Sequence, residues 1–296
     1  MMMQDAYLID GKRSPVCRSK QGLLSSVRPD DMLAQVLKSL IEPYAQIQDQ
    51  IDDVIIGCAT PEAEQGLNIA RHALLLAGLP KTVSGITINR LCCSGLQAIA
   101  YAAQQIQLGQ ADIIIAGGVE SMSMLPLGGH QIRPSPQLFE SDNSLLQGLA
   151  LSMGSTAEIV AKRYNISRAA QDMFALQSHQ KAVKAIAGNV FETQIVPIVS
   201  KDVVMDQSGQ KTIEKHRQVA SDCGPRSDTS LDALSQLKPV FSKAADASVT
   251  AGNSAQISDG AAAVILMSEA AMQRMGCKPM LRFTAYATSG VAPEEM

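Results

Sequence analysis

Two hydrophobic periods alternate along the chain. Continuous runs of β-branched and aliphatic residues recur at residues 53–57 (DVIIG), 85–89 (GITIN), 112–116 (DIIIA), ended by Gly117-Gly118, and 261–267 (AAAVILM). Such runs read as strands buried on both faces. A shorter strand is predicted at residues 5–10 (DAYLID). Helical patterns lie between them. Residues 29–41 open on Pro29 and two aspartates, and Leu33, Val36, Leu37 and Leu40 follow at i, i+3, i+4 and i+7. Residues 68–77 form a second helix stopped by Gly78 and Pro80, and residues 94–108 a small-residue helix stopped by Gly109. Strands alternating with helices predict an α/β layered fold: a mixed, mostly parallel sheet covered by helices.

The character changes after Met124. Residues 125–147 are rich in Pro, Gly and Ser without a period, which marks an excursion or a functional loop. Helices are predicted at 156–164 and 168–187, the second capped by Ser167 and stopped by Gly188-Asn189. Residues 191–199 read as extended and 201–227 as a polar loop. After the 261–267 strand come a helix at 268–275 and a strand starting in 281–289. The sequence ends at Met296 without a closing element. No internal repeat or low-complexity segment occurs.

Composition narrows the classes. With 296 residues, 46% of them hydrophobic and 18% charged, the chain is long enough for one large or two smaller domains around a sizeable core, and disorder is excluded. A net charge of −3 leaves no basic footprint for nucleic acid, and the absence of Trp argues against base-stacking platforms. No apolar run reaches the ~18 residues of a membrane span. The first residues lack a basic and an apolar signal region, so a reducing cytoplasm is expected, with thiols rather than disulfides at the six cysteines. Cys17, Cys58, Cys223 and Cys277 read as small buried hydrophobes. No CxxC pair or zinc spacing occurs, so no metal is expected; nor is there a GxSxG, Walker or GxGxxG segment.

One segment concentrates chemistry. Asn89-Arg90-Leu91-Cys92-Cys93-Ser94-Gly95-Leu96-Gln97-Ala98 falls at a strand-to-helix turn. Sulfur just before a helix meets unpaired N–H groups and the positive end of the dipole, which favours negative charge there. An acyl nucleophile would sit in such a place, with backbone N–H groups ready for an oxyanion. The competing reading is two core cysteines opening a small-residue helix. Of two adjacent cysteines one is expected to face a cleft, and Cys93 reads as the packed neighbour.

Residues 88–98 (INRLCCSGLQA) and 116–123 (AGGVESMS) resemble the thiolases, which make or cleave 3-ketoacyl-CoA. Further matches are Arg13-Ser14-Pro15, residues 153–158 (MGSTAE), 224–230 (GPRSDTS), 237–241 (LKPVF) and 249–263 (VTAGNSAQISDGAAA). The resemblance covers essentially the whole chain. It implies a thiolase-like fold with residues 1–121 and 250–270 as the first half, 122–249 as an inserted, coenzyme-A-facing loop domain and 271–296 as the beginning of a truncated second half. The family nucleophile falls on Cys92. The coenzyme A contacts fall on Met153, Arg226, Phe241, Ala251 and Ser254, with Arg226 toward the nucleotide. Coenzyme A enters as part of the substrate, with no resident cofactor, and a homodimer or dimer of dimers is implied.

Two wordings differ from the biosynthetic members. Ser152-Met153 stands where many of those have His-Met, and Asn253-Ser254-Ala255 lacks a serine common at its third position. Both point to the degradative, fatty-acid branch. The Asn-Glu-Ala-Phe, Gly-His-Pro and Cys-x-Gly-Gly-Gly segments of the family's second half do not occur. Loss of a base and proton shuttle costs ~10²–10⁴-fold, so impaired turnover and association through uncovered apolar faces are expected. His72, His130, His179 and His216 read as structural or solvated. The alternative is a non-catalytic remnant that binds coenzyme A thioesters or serves as an interaction module.

Overall fold

A computed structural model describes residues 4–140, 148–149, 151–205 and 210–295; the side chains of 202–204 and 212–216 are not described. The strands are β1 (Ala6–Arg13), β2 (Cys17–Arg18), β3 (Asp53–Gly57), β4 (Ser84–Ile88), β5 (Ile113–Ser121), β6 (Ile198–Met205), β7 (Lys211–Val219), β8 (Ser258–Ser268) and β9 (Leu281–Arg282). The α-helices are α1 (Pro29–Ile41), α2 (Ile69–Leu76), α3 (Ser94–Gln107), α4 (Gln137–Glu140), α5 (Met153–Arg163), α6 (Arg168–Ala187), α7 (Leu231–Ser235) and α8 (Glu269–Arg274). The chain divides into two compact units: residues 1–130, 191–224 and 257–286, and residues 131–190, 225–256 and 287–296.

The first unit is built on a mixed sheet in the order β4-β3-β5-β8-β1-β9, with β2 also on β8. β3, β4 and β5 pair in parallel. β8 runs against β5, β1 and β2, so β1 and β2 point with the parallel block, and five of the seven strands share one direction. Helices cover both faces, and the period of two in each strand divides its residues between them. Val54, Ile56, Ile113, Ile115 and Ile265 pack in one cluster with Leu33, Leu37, Leu40, Ile69 and Leu74 of α1 and α2. Ile55, Ile114, Ala116 and Leu266 pack in another with Ala98, Ala102, Ala103 and Ile106 of α3. Alanines on α3 bring that helix close to the sheet.

Several expectations are corrected. Gly117 and Gly118 do not end β5; the strand runs on to Ser121. Glycine is required there because a Cβ at Gly117 would strike the Ala262 carbonyl of β8. The segment expected as a polar loop from residue 201 contains instead the β6–β7 hairpin, whose register pairs Ile198 with Val219 and Met205 with Lys211. Its hydrophobic alternation is hidden in the sequence among Lys, Asp, Glu and Gln. The strand expected from residue 281 is only two residues long. Part of the predicted 125–147 excursion, residues 141–147, lies outside the described residues.

Cys17 and Cys223 are joined in a disulfide, which corrects the expectation of free thiols at these two positions. Their Cα atoms are 4.7 Å apart because residues 222–223 dock on the turn before β2. The Cys223 N–H donates to the Val16 carbonyl (3.0 Å), and the Asp222 carboxylate takes the Val16 N–H (2.9 Å) and two Arg13 bonds of 2.7 and 2.9 Å. Burial pushes the Asp222 carboxyl upward, but the Arg13 and Val16 hydrogen bonds prevail and hold it below the ordinary carboxylate range.

A backbone contact seats α3. A Cβ at Gly57 would collide with the Ser94 carbonyl group at the start of that helix. Overpacking against backbone has no side chain to yield, so Gly57→Ala should destabilise the chain by at least about 2 kcal/mol in urea unfolding. An unchanged midpoint would show that α3 is not held at this contact.

Candidate active site and coenzyme-binding elements

The first unit carries the cysteine turn between β4 and α3. Leu91 adopts φ 48°, a left-handed conformation that is costly for a branched side chain and is sustained only by its surroundings. Those surroundings are explicit. The Asn89 amide oxygen accepts the Leu91 N–H at 2.7 Å, while its NH2 donates to Ala59 O at 3.0 Å. The buried Ser94 hydroxyl accepts from Arg90 N (2.8 Å) and donates to Leu91 O (2.6 Å). Backbone bonds from Cys93 N to Arg90 O and from Ser94 N to Leu91 O close the turn.

Cys93 is the N-cap residue of α3, and Cys92 precedes it. Both thiols are free and exposed. The expectation that Cys93 is packed is therefore corrected: the first turn turns Cys93 and Leu96 outward and buries Ser94 and Gln97 instead. Gly95 lets the helix start close to β5: a Cβ at Gly118 would lie 3.4 Å from the Gly95 Cα and 3.3 Å from Gly57 O. Tyr286 covers the same turn, its hydroxyl donating to Gln97 Oε1 at 2.9 Å.

Next to it, through Ala59, lies a half-buried polar cluster that the sequence reading did not single out. The Glu120 carboxylate accepts from Ala59 N and Gln65 Nε2, both at 2.7 Å, and Gln65 Oε1 accepts from Ser121 N at 2.6 Å. Burial first, and then the Glu120 charge, push the Cys58 thiol up to about 12. Cys58 is thus the inert packed cysteine, as expected. The only available signal was Glu120 inside the matched segment AGGVESMS.

The second unit carries the five residues expected to meet coenzyme A. Met153 opens α5 and is exposed; Ser152 caps that helix through Ser155 N. The Phe241 ring lies against Gly154, where any Cβ would collide with it, so Phe241 packs on the first turn of α5, which Met153 opens. Ala251 and Ser254 sit in a tight turn. Thr250 N donates to Asn253 Oδ1 (2.8 Å), and the Ser254 hydroxyl donates to Thr250 O (2.7 Å). Asn253 Nδ2 donates to Asp172 Oδ1 of α6 at 3.1 Å. Arg168 bonds Asp172 at 2.7 Å and the carbonyls of Leu234 and Leu237, so the Arg168–Asp172 pair joins α6 to the end of α7 and to this turn. Glu158 fixes the preceding segment by accepting from Ser248 N and Val249 N at 3.0 and 2.9 Å.

Arg226 is largely exposed and paired with Asp228 through two 3.2 Å bonds. Those bonds hold the Asp228 carboxyl below its ordinary range. The Arg226 N–H donates to His179 Nδ1 at 3.1 Å. Sequence reading had left His179, Asp172 and Glu158 without a role, because each is a lone polar residue on a helix and its partners are distant in the chain. Of the other histidines, His72 is exposed on α2, His130 approaches Glu64 at 3.8 Å, and the side chain of His216 is outside the described residues. Among the described residues no group of three or more metal-ligating side chains occurs, and no helix is long and apolar enough to cross a membrane.

Removing the Ser94 hydroxyl leaves Arg90 N without its acceptor and takes from Leu91 O one of its two donors. Ser94→Ala should cost about 1–3 kcal/mol in urea unfolding and alter the alkylation rate of Cys92 measured by peptide mapping. A variant unchanged in both would show that the turn does not depend on this hydroxyl.

Comparison with known proteins agrees with this architecture. Residues 6–270 match the family model described as thiolase, N-terminal domain. The chain is 49% identical over 296 residues to a 3-ketoacyl-CoA thiolase of Bacillus subtilis (strain 168), covering 99% of this chain and 73% of that protein. It is 41% identical to a beta-ketoadipyl-CoA thiolase of Pseudomonas putida, covering 99% of this chain and 74% of the other. The crystal structure of the Bacillus anthracis acetyl-CoA acetyltransferase superposes with a TM-score of 0.81 at 35% identity, over 99% of this chain and 73% of that one. The chain therefore belongs to the thiolase family of acyltransferases.

Proposed function

We propose that this chain carries out acyl transfer between a 3-ketoacyl-CoA or acyl-CoA and coenzyme A through an acyl-enzyme on Cys92, in the degradative, thiolytic direction or its reverse. The observation that supports it most is the strained Leu91 turn, which holds an exposed cysteine at the head of a helix packed on the sheet by one face. In the acylation step the Cys92 sulfur attacks the thioester carbonyl, the new C–S bond forms, and coenzyme A leaves as the thiol. With a 3-ketoacyl-CoA the sulfur attacks the keto carbon, and the C–C bond to the α carbon breaks. The carbanion released there takes up a proton and leaves as acetyl-CoA. N–H groups at the start of α3 are suited to the developing oxyanion.

Met153, Arg226, Phe241, Ala251 and Ser254 are proposed to bind coenzyme A. Phe241 and Met153 offer apolar surface to the pantetheine arm, and Arg226 suits phosphate or a flat base. The division into a first half at 1–121 with 250–270, a loop domain at 122–249 and a further segment at 271–296 belongs to this same reading. A homodimer or pair of dimers is proposed as well; β4 is an edge strand, with Ile86 47% and Leu91 60% exposed beside it. A cytoplasmic location belongs to the same reading; the free thiols at Cys58, Cys92, Cys93 and Cys277 favour it, and the Cys17–Cys223 disulfide counts against it.

Incubation of the purified chain with acetyl-CoA, and separately with a 3-ketoacyl-CoA, should give an acyl adduct in the intact mass that Cys92→Ser abolishes and Cys93→Ser retains. Measurable coenzyme A thioester binding without any adduct would instead establish a binding protein.

A further inference from the structure

Within the second unit, α6 buries little besides Asp172. Asp172 and His179 are seven residues apart, two helical turns, and so lie on one face of α6. Each reaches a different loop. Asp172 bonds Asn253, in the turn that carries Ala251 and Ser254, and His179 takes the main-chain N–H of Arg226. Pro225 has no N–H, so the Arg226 amide is the first donor after it in this irregular loop. With an exposed side chain, Arg226 has no packing to fix its place. An imidazole Nδ1 accepts a hydrogen bond only in the neutral tautomer that carries its proton on Nε2. The backbone is thereby held by His179, and the guanidinium fork by Asp228.

We propose that His179 is a positioning residue for coenzyme A binding: from α6 it fixes the main chain of Arg226, and so the place from which that guanidinium meets the nucleotide. The proposal rests on the assignment of Arg226 to coenzyme A. His179 itself touches no substrate. Its contribution is to remove the conformational freedom that the loop would otherwise lose on binding.

Titration calorimetry of the full chain with coenzyme A tests this. Arg226→Ala should weaken affinity at least about 10-fold, as expected for loss of a charge-assisted contact. His179→Ala should weaken it about 3- to 10-fold, the range of one ordinary hydrogen bond. His179→Asn places an amide oxygen near the position of Nδ1 and should stay within about 2-fold of the parent, whereas His179→Gln carries its oxygen too far out and should behave like the alanine variant. Unfolding midpoints are read in parallel, and if the alanine variant fails to fold, the Asn-against-Gln contrast decides. Equal affinities for the Asn and Gln variants, or an unaffected alanine variant beside a weakened Arg226→Ala, would overturn the role of His179. An unaffected Arg226→Ala would overturn the assignment of Arg226, and the proposal with it.

Discussion

The architecture of the cysteine turn depends on backbone meeting backbone. At Gly57 the sheet comes so close to Ser94 and Gly95 that no side chain can intervene, and at Gly118 a Cβ would already be tight against Gly95. That contact fixes where α3 begins, and the start of α3 fixes Cys92. A helix seated on side chains could shift by fractions of an ångström as those side chains change rotamer. One seated on main chain has no such slack, because the opposing atoms belong to strands bonded on both sides. The same constraint accounts for the alanines along α3, which bring the rest of the helix down to the level its first turn requires.

The second unit solves a different problem. Its loops carry little buried apolar surface, and polar side chains hold them instead: Glu158 under residues 248–249, Asp172 under Asn253, and His179 under Arg226. Each of these bonds joins residues between about fifty and ninety positions apart. The unit presents exposed Met153, Phe241 and Arg226 on segments held by these hydrogen bonds.

Much of this was legible in the sequence, and what was not shares a physical cause. The α1, β3 and α6 boundaries follow from periodicity and caps, since Pro29, Gly57 and Ser167 act locally. Cys92 was singled out by its place before a small-residue helix and by the family resemblance, and the structure places it, exposed, immediately before the N-cap of α3. Gly117-Gly118 misled, because glycine marks both a turn and a close approach, and only β8 on the far side distinguishes the two. The β6–β7 hairpin was missed because charged residues mask its alternation. The Cys17–Cys223 pairing, 206 residues apart in sequence, depends on a docked loop that no local pattern encodes. His179 and Asp172 stayed unassigned because a heptad-spaced polar pair on a helix has no meaning until its partners are in view.

Hydrogen exchange across residues 89–97, read by mass spectrometry in the unliganded chain, tests the central claim that the cysteine turn is rigid before any substrate arrives. The Cys93, Ser94 and Gln97 amides should be protected to the same degree as those of β3 and β5, opening only with the unit as a whole. Exchange at the speed of a loop tip, beside protected β3 and β5, would mean that the sheet does not hold the turn and that the position of Cys92 is not set by the fold.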